Sequence, residues 1–272
     1  MSTDLEALFG AFGTMIGRPA MADMEIGETI RQMLAALVRF DHVVVFAYRS
    51  NERPIDLYST FSPEEHVVFV TLYQAGPYLL DPFYHTARER RQDVFRMREL
   101  APDRFFSSEY YRTYYIKTGL AEEVGFFVQT DDDITVVLSL MRIEKTGSFT
   151  PAEFTLLKKT QPLVARMVKH YWARLAPRFD AQLRAGDKSR RSRGKPGNIP
   201  PTDIVWRDLS LTSRETAIVD LVLQGHSSES IGIKLAISTG TVKVHRRNVY
   251  RKLGISSQTQ LLSIYLRSLA EK

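Results

Sequence analysis

Lys243, Arg247 and Arg251 stand four residues apart near the end of the chain, with Gly240 and Val244 beside them. On a helix, where each residue turns the chain by about 100°, these five residues share one arc roughly 100° wide. Val242, His245, Val249 and Leu253 gather on the opposite side. One face is basic and the other largely apolar. Lysine and arginine donate to guanine edges and phosphates, and a valine methyl suits the methyl of thymine, so the basic face has the chemistry to read a DNA major groove. Thr241, Arg246 and Lys252 flank it, where contacts to phosphates are expected. Taken singly, such cations are more often an ordinary solvated helix surface. The case for DNA therefore depends on the elements that hold them.

Those elements announce themselves through caps and stops. Thr212-Ser213-Arg214-Glu215 has the pattern of a capping box, opening a helix that turns Ile218, Leu221 and Val222 inward and stops at Gly225. Ser227 caps a short second helix bearing Ile231 and Leu235. Ala236-Ile237-Ser238 makes a tight turn, and Ser238 caps a third helix from Thr239 to Leu253, closed by Gly254. Two helices joined this closely place the second where it can enter a major groove. A fourth helix from Ser257 through Leu269 carries Leu261, Leu262, Ile264, Tyr265 and Leu266.

The run Leu211-Thr212, Arg214-Glu215, Gly225, Ile231, Leu235, Ile237-Ser238, Thr241-Val242-Lys243, His245 and Lys252-Leu253-Gly254 closely resembles the C-terminal DNA-binding domain of the LuxR family, also called the GerE type. It departs at Gly232, where the family usually has alanine, and at Gly240 inside the third helix; each glycine costs about 1 kcal/mol of helix stability relative to alanine. The resemblance implies that Lys243, Val244 and Arg247 reach base edges and that Thr241 reaches the backbone. With Ser238, Arg246, Arg251 and Lys252 these make the expected DNA-binding set. His245, on the inner face, is expected to pack or to bond a phosphate rather than to act as a titrating switch. The resemblance also implies that the fourth helix pairs two modules on an inverted-repeat operator; simple packing on the first helix is the plain alternative.

Charge divides the chain in the same way. Residues 184–272 hold sixteen basic and seven acidic side chains, net +9, within a chain whose total is +6, which leaves residues 1–183 at −3. Only the C-terminal part is suited to a polyanion. Between Ala176 and Pro201 the apolar periodicity stops, and the stretch Arg184–Pro201 is rich in Arg, Lys, Ser, Gly and Pro. The expected organisation is a sensor and dimerisation domain over 1–176, a flexible basic linker over 177–205 and the helix-turn-helix domain over 206–272.

In the first of these, strand-like runs at Val43–Tyr48, Ile55–Ser59, Val124–Gln129 and Ile134–Met141 alternate with helical segments Ser62–Gln74, Pro82–Arg90 and Ser107–Thr118. Thr150-Pro151-Ala152-Glu153 opens a long helix expected to reach Leu175 before Pro177 stops it, with an apolar stripe of Leu157, Val164, Val168, Tyr171 and Leu175. That stripe serves either a homodimer or the domain's own core. The fold class expected is an α/β sandwich of the PAS or GAF sort followed by an all-α four-helix module. A phosphoacceptor receiver domain is excluded, because the chain opens with helix and Asp131–Asp133 read as a hairpin turn.

Sixteen aromatic residues crowd positions 58–127. Part of this stretch resembles the autoinducer-binding domain of quorum-sensing LuxR proteins, in which a Trp, a Tyr four residues on, an Asp-Pro pair and a further Trp line the ligand pocket. The corresponding residues are Phe69, Tyr73, Asp81-Pro82 and Phe95. Phenylalanine cannot donate the hydrogen bond that an indole N–H offers a lactone carbonyl. Asp81, with Glu65 one turn before Phe69, instead suits a small amine or other cation beside aromatic faces. Asp81 serves equally as a cap for the helix beginning at Pro82.

The chain has no cysteine, which excludes disulfides and thiolate chemistry, and no nucleophile–base pair, phosphate loop or metal-spaced cluster. The reading is therefore a non-enzymatic, cytoplasmic regulator with no cofactor and no membrane segment, which binds double-stranded DNA as a homodimer and responds to a small-molecule effector. Its rival is a constitutive dimeric regulator whose N-terminal domain binds a protein partner and no ligand.

Overall fold

Val43, Val45 and Ala47 alternate with Val44, Phe46 and Tyr48 along β1 (His42–Arg49), and both sets are buried. A strand apolar on both faces belongs in the middle of a sheet. It lies there: in the computed structural model, β2 (Ile55–Ser59), β3 (Asp93–Arg96), β4 (Leu120–Gln129) and β5 (Ile134–Ile143) join it in the order β2-β1-β5-β4-β3. Every neighbouring pair is antiparallel, with Val45 opposite Leu138 and Phe126 opposite Leu138 at the centre. The structure describes residues 4–16, 18, 20–115, 119–130, 133–191, 206 and 209–270. They fall into two compact units: Met1–Val70, Thr86–Glu99 and Leu120–Pro196 in one, Thr71–His85, Leu100–Gly119 and Gly197–Lys272 in the other.

In the first unit the sheet carries helices α1 (Leu5–Ile16), α2 (Asp23–Ala35), the short α3 (Pro63–His66) and, after α4 (Pro82–Arg88) and α5 (Met97–Leu100), whose residues are divided between the two units, the long α6 (Pro151–Tyr171). The capping box predicted for α6 is present: Thr150 Oγ1 accepts from Glu153 N at 3.2 Å, and Glu153 Oε2 accepts from Thr150 N at 2.7 Å. Leu157, Val164, Val168 and Leu175 are buried in one core with Val45, Phe126 and Leu138 of the sheet. Tyr171 is half-buried and donates to the carbonyls of Met15 and Arg18. The stripe thus forms the domain's own core and is not free to make a dimer.

Two buried arginines tie the sheet to the start of α6. Arg96 meets Glu122 at 2.7 Å and donates to the carbonyls of Phe149 and Thr150. Arg142 meets Glu153 at 2.6 Å and donates to the carbonyls of Arg39 and Ser148. Its guanidinium lies 4.0 Å from the centre of the Phe149 ring.

Three local expectations need correction. α6 ends at Tyr171, and Pro177 lies in the first turn of α7 (Ala176–Arg191), where a missing N–H costs nothing, so this proline begins a helix instead of stopping one. The stretch read as linker is therefore helical over 177–191, while 192–205 lies outside the described residues. The helix expected over Ser62–Gln74 forms from its Ser62 cap, but its middle, Val67–Leu72, widens into a π-helical stretch before Tyr73 and Gln74 resume the α-helix. β3 was not expected at all: it is a four-residue edge strand, too short for alternation to show.

In the second unit, α8 (Ser213–Leu223), α9 (Ser228–Leu235), α10 (Thr239–Leu253) and α11 (Gln258–Ala270) make the four-helix module. Its core contains Ile218, Val219, Val222, Ile231, Val242, Val249, Leu261 and Tyr265, with Trp206 stacked on Tyr265 and bonded to Asp220 through its indole N–H.

Candidate functional site

Each cap read for this module is made. Thr212 Oγ1 accepts from Glu215 N, Ser227 Oγ from Ser230 N and Ser238 Oγ from Thr241 N. Ala236 takes the left-handed conformation (φ 52°) that ends α9, and Gly254 the one that ends α10. Gly232 has a structural reason: a Cβ there would stand 2.8 Å from the Ile237 carbonyl oxygen, so the turn between α9 and α10 closes onto bare backbone. Arg214 reaches from α8 to donate to the Leu235 carbonyl at 2.7 Å, fixing the end of α9.

α10 then presents its two sides as its sequence demands. Val242 and Val249 are buried and His245 and Leu253 partly so. On the other side Thr241, Lys243, Val244, Arg247 and Arg251 are exposed, Val244 to 45%. An exposed valine among cations is a poor arrangement for water alone and a good one for a thymine methyl.

The flanking cations are already engaged. Lys252 Nζ lies 2.7 Å from Glu215 Oε2, and Arg246 Nη1 donates to Ser228 Oγ at 3.1 Å. Glu215 is buried; although burial opposes ionisation, Lys252 and the Thr212 N–H and hydroxyl together hold its carboxyl below the usual range. Lys252 and Arg246 thus brace α10 against α8 and α9, a role their spacing did not reveal because it depends on which helix faces them. Ser238 has its hydroxyl 2.8 Å from that of Thr241 as well as on the Thr241 N–H.

The effector residues divide between the two units. In the second, Tyr73 donates to Asp81 Oδ2 and Phe83 N donates to Asp81 Oδ1, both at 2.8 Å. Burial pushes the Asp81 carboxyl up to about 6 against the pull of those two donors. Asp81 thus does cap the segment beginning at Pro82, and it is also a buried acid whose ionisation burial opposes. In the first unit Phe69 stacks on Phe61 with ring centres 4.4 Å apart, and Phe95 packs edge-on to Phe127 beneath the Arg91 guanidinium. Glu65 is a correction: its carboxylate accepts from Ser62 N at 2.9 Å as the return bond of a capping box, an occupation that its place three residues after a serine already suggested. Among the described residues there is no cluster of His, Asp or Glu able to hold a metal, and no helix long and apolar enough to cross a membrane.

Contacts that no local pattern signals bring residues 103–105 against the turn between α8 and α9. Asp103 accepts from Ser227 N, and Arg104 N donates to the Gly225 carbonyl.

The model of bacterial regulatory proteins of the luxR family matches residues 209–265, which span the four helices. A putative HTH-type transcriptional regulator in the exeN 3′ region of Aeromonas salmonicida is 30% identical over 167 residues, covering 59% of this chain and 80% of that protein. Among solved structures, the VqsR LBD domain from Pseudomonas aeruginosa is 25% identical with a TM-score of 0.52, covering 60% of this chain and 95% of that one. Escherichia coli SdiA is 20% identical with a TM-score of 0.42, over 96% of this chain and 98% of that one. The exposed basic face of α10 lies within the luxR match, and the sheet unit has the fold of a LuxR-type ligand-binding domain. The chain belongs to the luxR family of bacterial regulatory proteins and is a DNA-binding transcription regulator, not an enzyme.

Proposed function

We propose that the protein binds an inverted-repeat operator as a homodimer, reading bases through Lys243, Val244 and Arg247, with Thr241, Ser238 and Arg251 on the backbone. The observation that carries this is the exposure of five contact groups on one side of α10 while Val242 and Val249 on the opposite side are buried. Arg246 and Lys252 belong to the bracing of the helix first and to phosphates second. Selection of the full-length protein against a random duplex pool tests the reading. A two-half-site motif with about 10 bp between half-site centres is expected; a single half-site overturns the homodimer, and no enrichment overturns specific binding.

The effector is a small molecule whose polar end meets Asp81 and Tyr73. A carboxyl that ionises near pH 6 accepts a hydrogen bond from an amine and gives one to a carbonyl, whichever the ligand offers. Phe69 and Phe95 join this proposal through the family resemblance only. Mass spectrometry of small molecules released on denaturing the full-length protein is the test: a stoichiometric compound lost in Asp81→Ala supports the sensor. A clean protein that still binds DNA supports the constitutive reading, in which Asp81 is a helix cap alone.

A further inference from the structure

A cleft of about 270 Å³ lies in the first unit, at the end of the sheet where β1 turns into β2. Tyr48, Ser50 and Asn51 line it from the end of β1 and that turn, Arg88 and Arg90 from the end of α4, and Asp133 from the turn before β5. Its floor is fixed. Tyr48 pairs with Thr135 across the sheet, and the Thr135 hydroxyl donates to the Ala87 carbonyl at 3.0 Å, which holds the stretch bearing Arg88 to the strands that carry Tyr48 and Asp133.

Charge and backbone both single this cleft out. Two arginines and one aspartate line it, a cationic balance within the part of the chain whose net charge is negative. Glu52, in the same turn as Asn51, is already bound by Arg49 through two bonds of 2.9 Å. Arg90 reaches the Gln129 amide and pairs with Asp133 at 2.8 Å, but the paired side chains are 53% and 67% exposed. A pair so exposed contributes little and gives way readily to another anion. Among the described residues five non-glycine positions have positive φ, and three of them line this cleft: Ser50 at 46°, Arg90 at 58° and Asp133 at 60°. Aspartate enters that conformation readily, whereas arginine does not, and glycine would suit position 90 better. The fold has little reason to hold an arginine there; a ligand of the guanidinium supplies one.

We propose that this cleft binds the carboxylate or phosphate of a small metabolite between Arg88 and Arg90, with Asp133 giving up its place on Arg90 when the anion enters. A planar guanidinium takes either anion through two parallel bonds, and Ser50 and Asn51 bring a hydroxyl and an amide for the rest of the molecule. The volume lies just under the roughly 300 Å³ at which ordinary ligand pockets begin, so it suits a compact metabolite and no macromolecule. The Asp81 site belongs to the other unit, and this inference does not rest on the effector reading.

Inorganic phosphate, succinate and citrate serve as probes, titrated into the full-length protein at constant ionic strength set with chloride. Amide exchange should slow saturably over residues 49–53, 88–92 and 133–135 with at least one of them, and the preference among the three separates phosphate from carboxylate. Arg88 is exposed, so Arg88→Gln disturbs no core and should raise the half-saturating concentration about tenfold, as loss of one charge-assisted bond dictates. Arg90→Gly should weaken binding equally while leaving urea unfolding unchanged or moving it to higher urea, because glycine accepts the left-handed conformation. Asp133→Asn keeps a residue at home in that conformation and removes the competing carboxylate, so it should tighten binding a few-fold. Asp81→Asn should respond as wild type does. Slowing confined to α10, an Arg88→Gln response equal to wild type, loss of the response in Asp81→Asn, or no response to any probe at millimolar concentration overturns the site. A clear fall in the stability of Arg90→Gly also overturns it, since Arg90 would then serve the fold.

Discussion

Arg96 and Arg142 in the sheet unit are almost wholly buried, each matched to a carboxylate and to backbone carbonyls, whereas Lys243 and Arg247 on α10 face solvent with no hydrogen bond or ion pair among the described residues. The side-chain types are shared; the demands on them are not. In the first region the cations complete the fold, joining β4 and β5 to the start of α6. In the second, folding asks nothing of them, and a cation that the fold leaves unused on one side of an otherwise well-packed helix is available to a polyanion. Exposure of charge is ordinary on any surface. It becomes informative here because Val242 and Val249 on the other side of the same helix are buried in the module's core.

The comparison breaks most visibly at Arg142. Arg142→Ala strands the Glu153 carboxylate and three hydrogen bonds to the Arg39 and Ser148 carbonyls, and removal of one partner of a buried pair costs about 3–5 kcal/mol. Urea unfolding should show this loss, with operator affinity per folded molecule unchanged. The pH dependence identifies the cause. Arg142 holds the Glu153 carboxyl down to about 2, so its contribution is full above the unfolded value of 4.5 and disappears as pH falls toward 2. In Arg142→Ala that acid-side decline should be largely absent.

Asp81 sharpens the contrast from the other direction, because it is a buried charge that burial disfavours. Its folded value near 6 lies above the 3.8 of the free group, so the contribution of Asp81 is most favourable below about 4 and declines as pH rises toward 6. The gap between those two values corresponds to about 3 kcal/mol. Asp81→Asn should remove the decline across pH 4–6 while preserving the one below 4.5 that belongs to Glu153. An identical pH profile in the variant would mean that Asp81 is no buried acid, and the effector proposal would lose its polar anchor.

Lys243→Ala and Arg247→Ala test the exposed side. Each should lose about 1–3 kcal/mol of preference for operator over scrambled duplex and leave urea unfolding unchanged. A stability loss like that of Arg142→Ala would show that the face is structural after all.

What could be read in advance follows the range of the interactions. The module was legible helix by helix because its signals are local: Thr212, Ser227 and Ser238 cap within three residues, and Gly254 ends α10 on the spot. Four strands were legible because Val43–Tyr48 and its neighbours are long and apolar, while β3, four residues at an edge, carried no pattern. Pro177 misled because a proline that ends one helix and a proline that opens the next look alike without knowing that Trp172 has already closed α6. The contact of Asp103 with the turn after α8 had no local signal, since Asp103 and Ser227 meet across 124 positions of sequence.

Lys252 is where the two regions' rules meet in one residue, and the effect expected there is the smallest. Its spacing on α10 suggests a phosphate contact, but its ammonium lies 2.7 Å from the buried Glu215 carboxylate and is itself more than a third exposed. A partly exposed pair contributes no more than about 1 kcal/mol, and Glu215 keeps the Thr212 N–H and hydroxyl as donors when the lysine is gone. Lys252→Ala should therefore lower stability by about 0.5–1 kcal/mol. Against salt, a side chain that neutralises a phosphate contributes about one unit to the slope of log affinity on log salt concentration. If bracing is its main role, Lys252→Ala leaves that slope as in wild type, whereas a contact with DNA phosphate flattens it by about one unit with little change in urea unfolding. Measuring both quantities on the same preparation separates the outcomes, because the Glu215 pair draws the ammonium inward to α8 and a phosphate would draw it away.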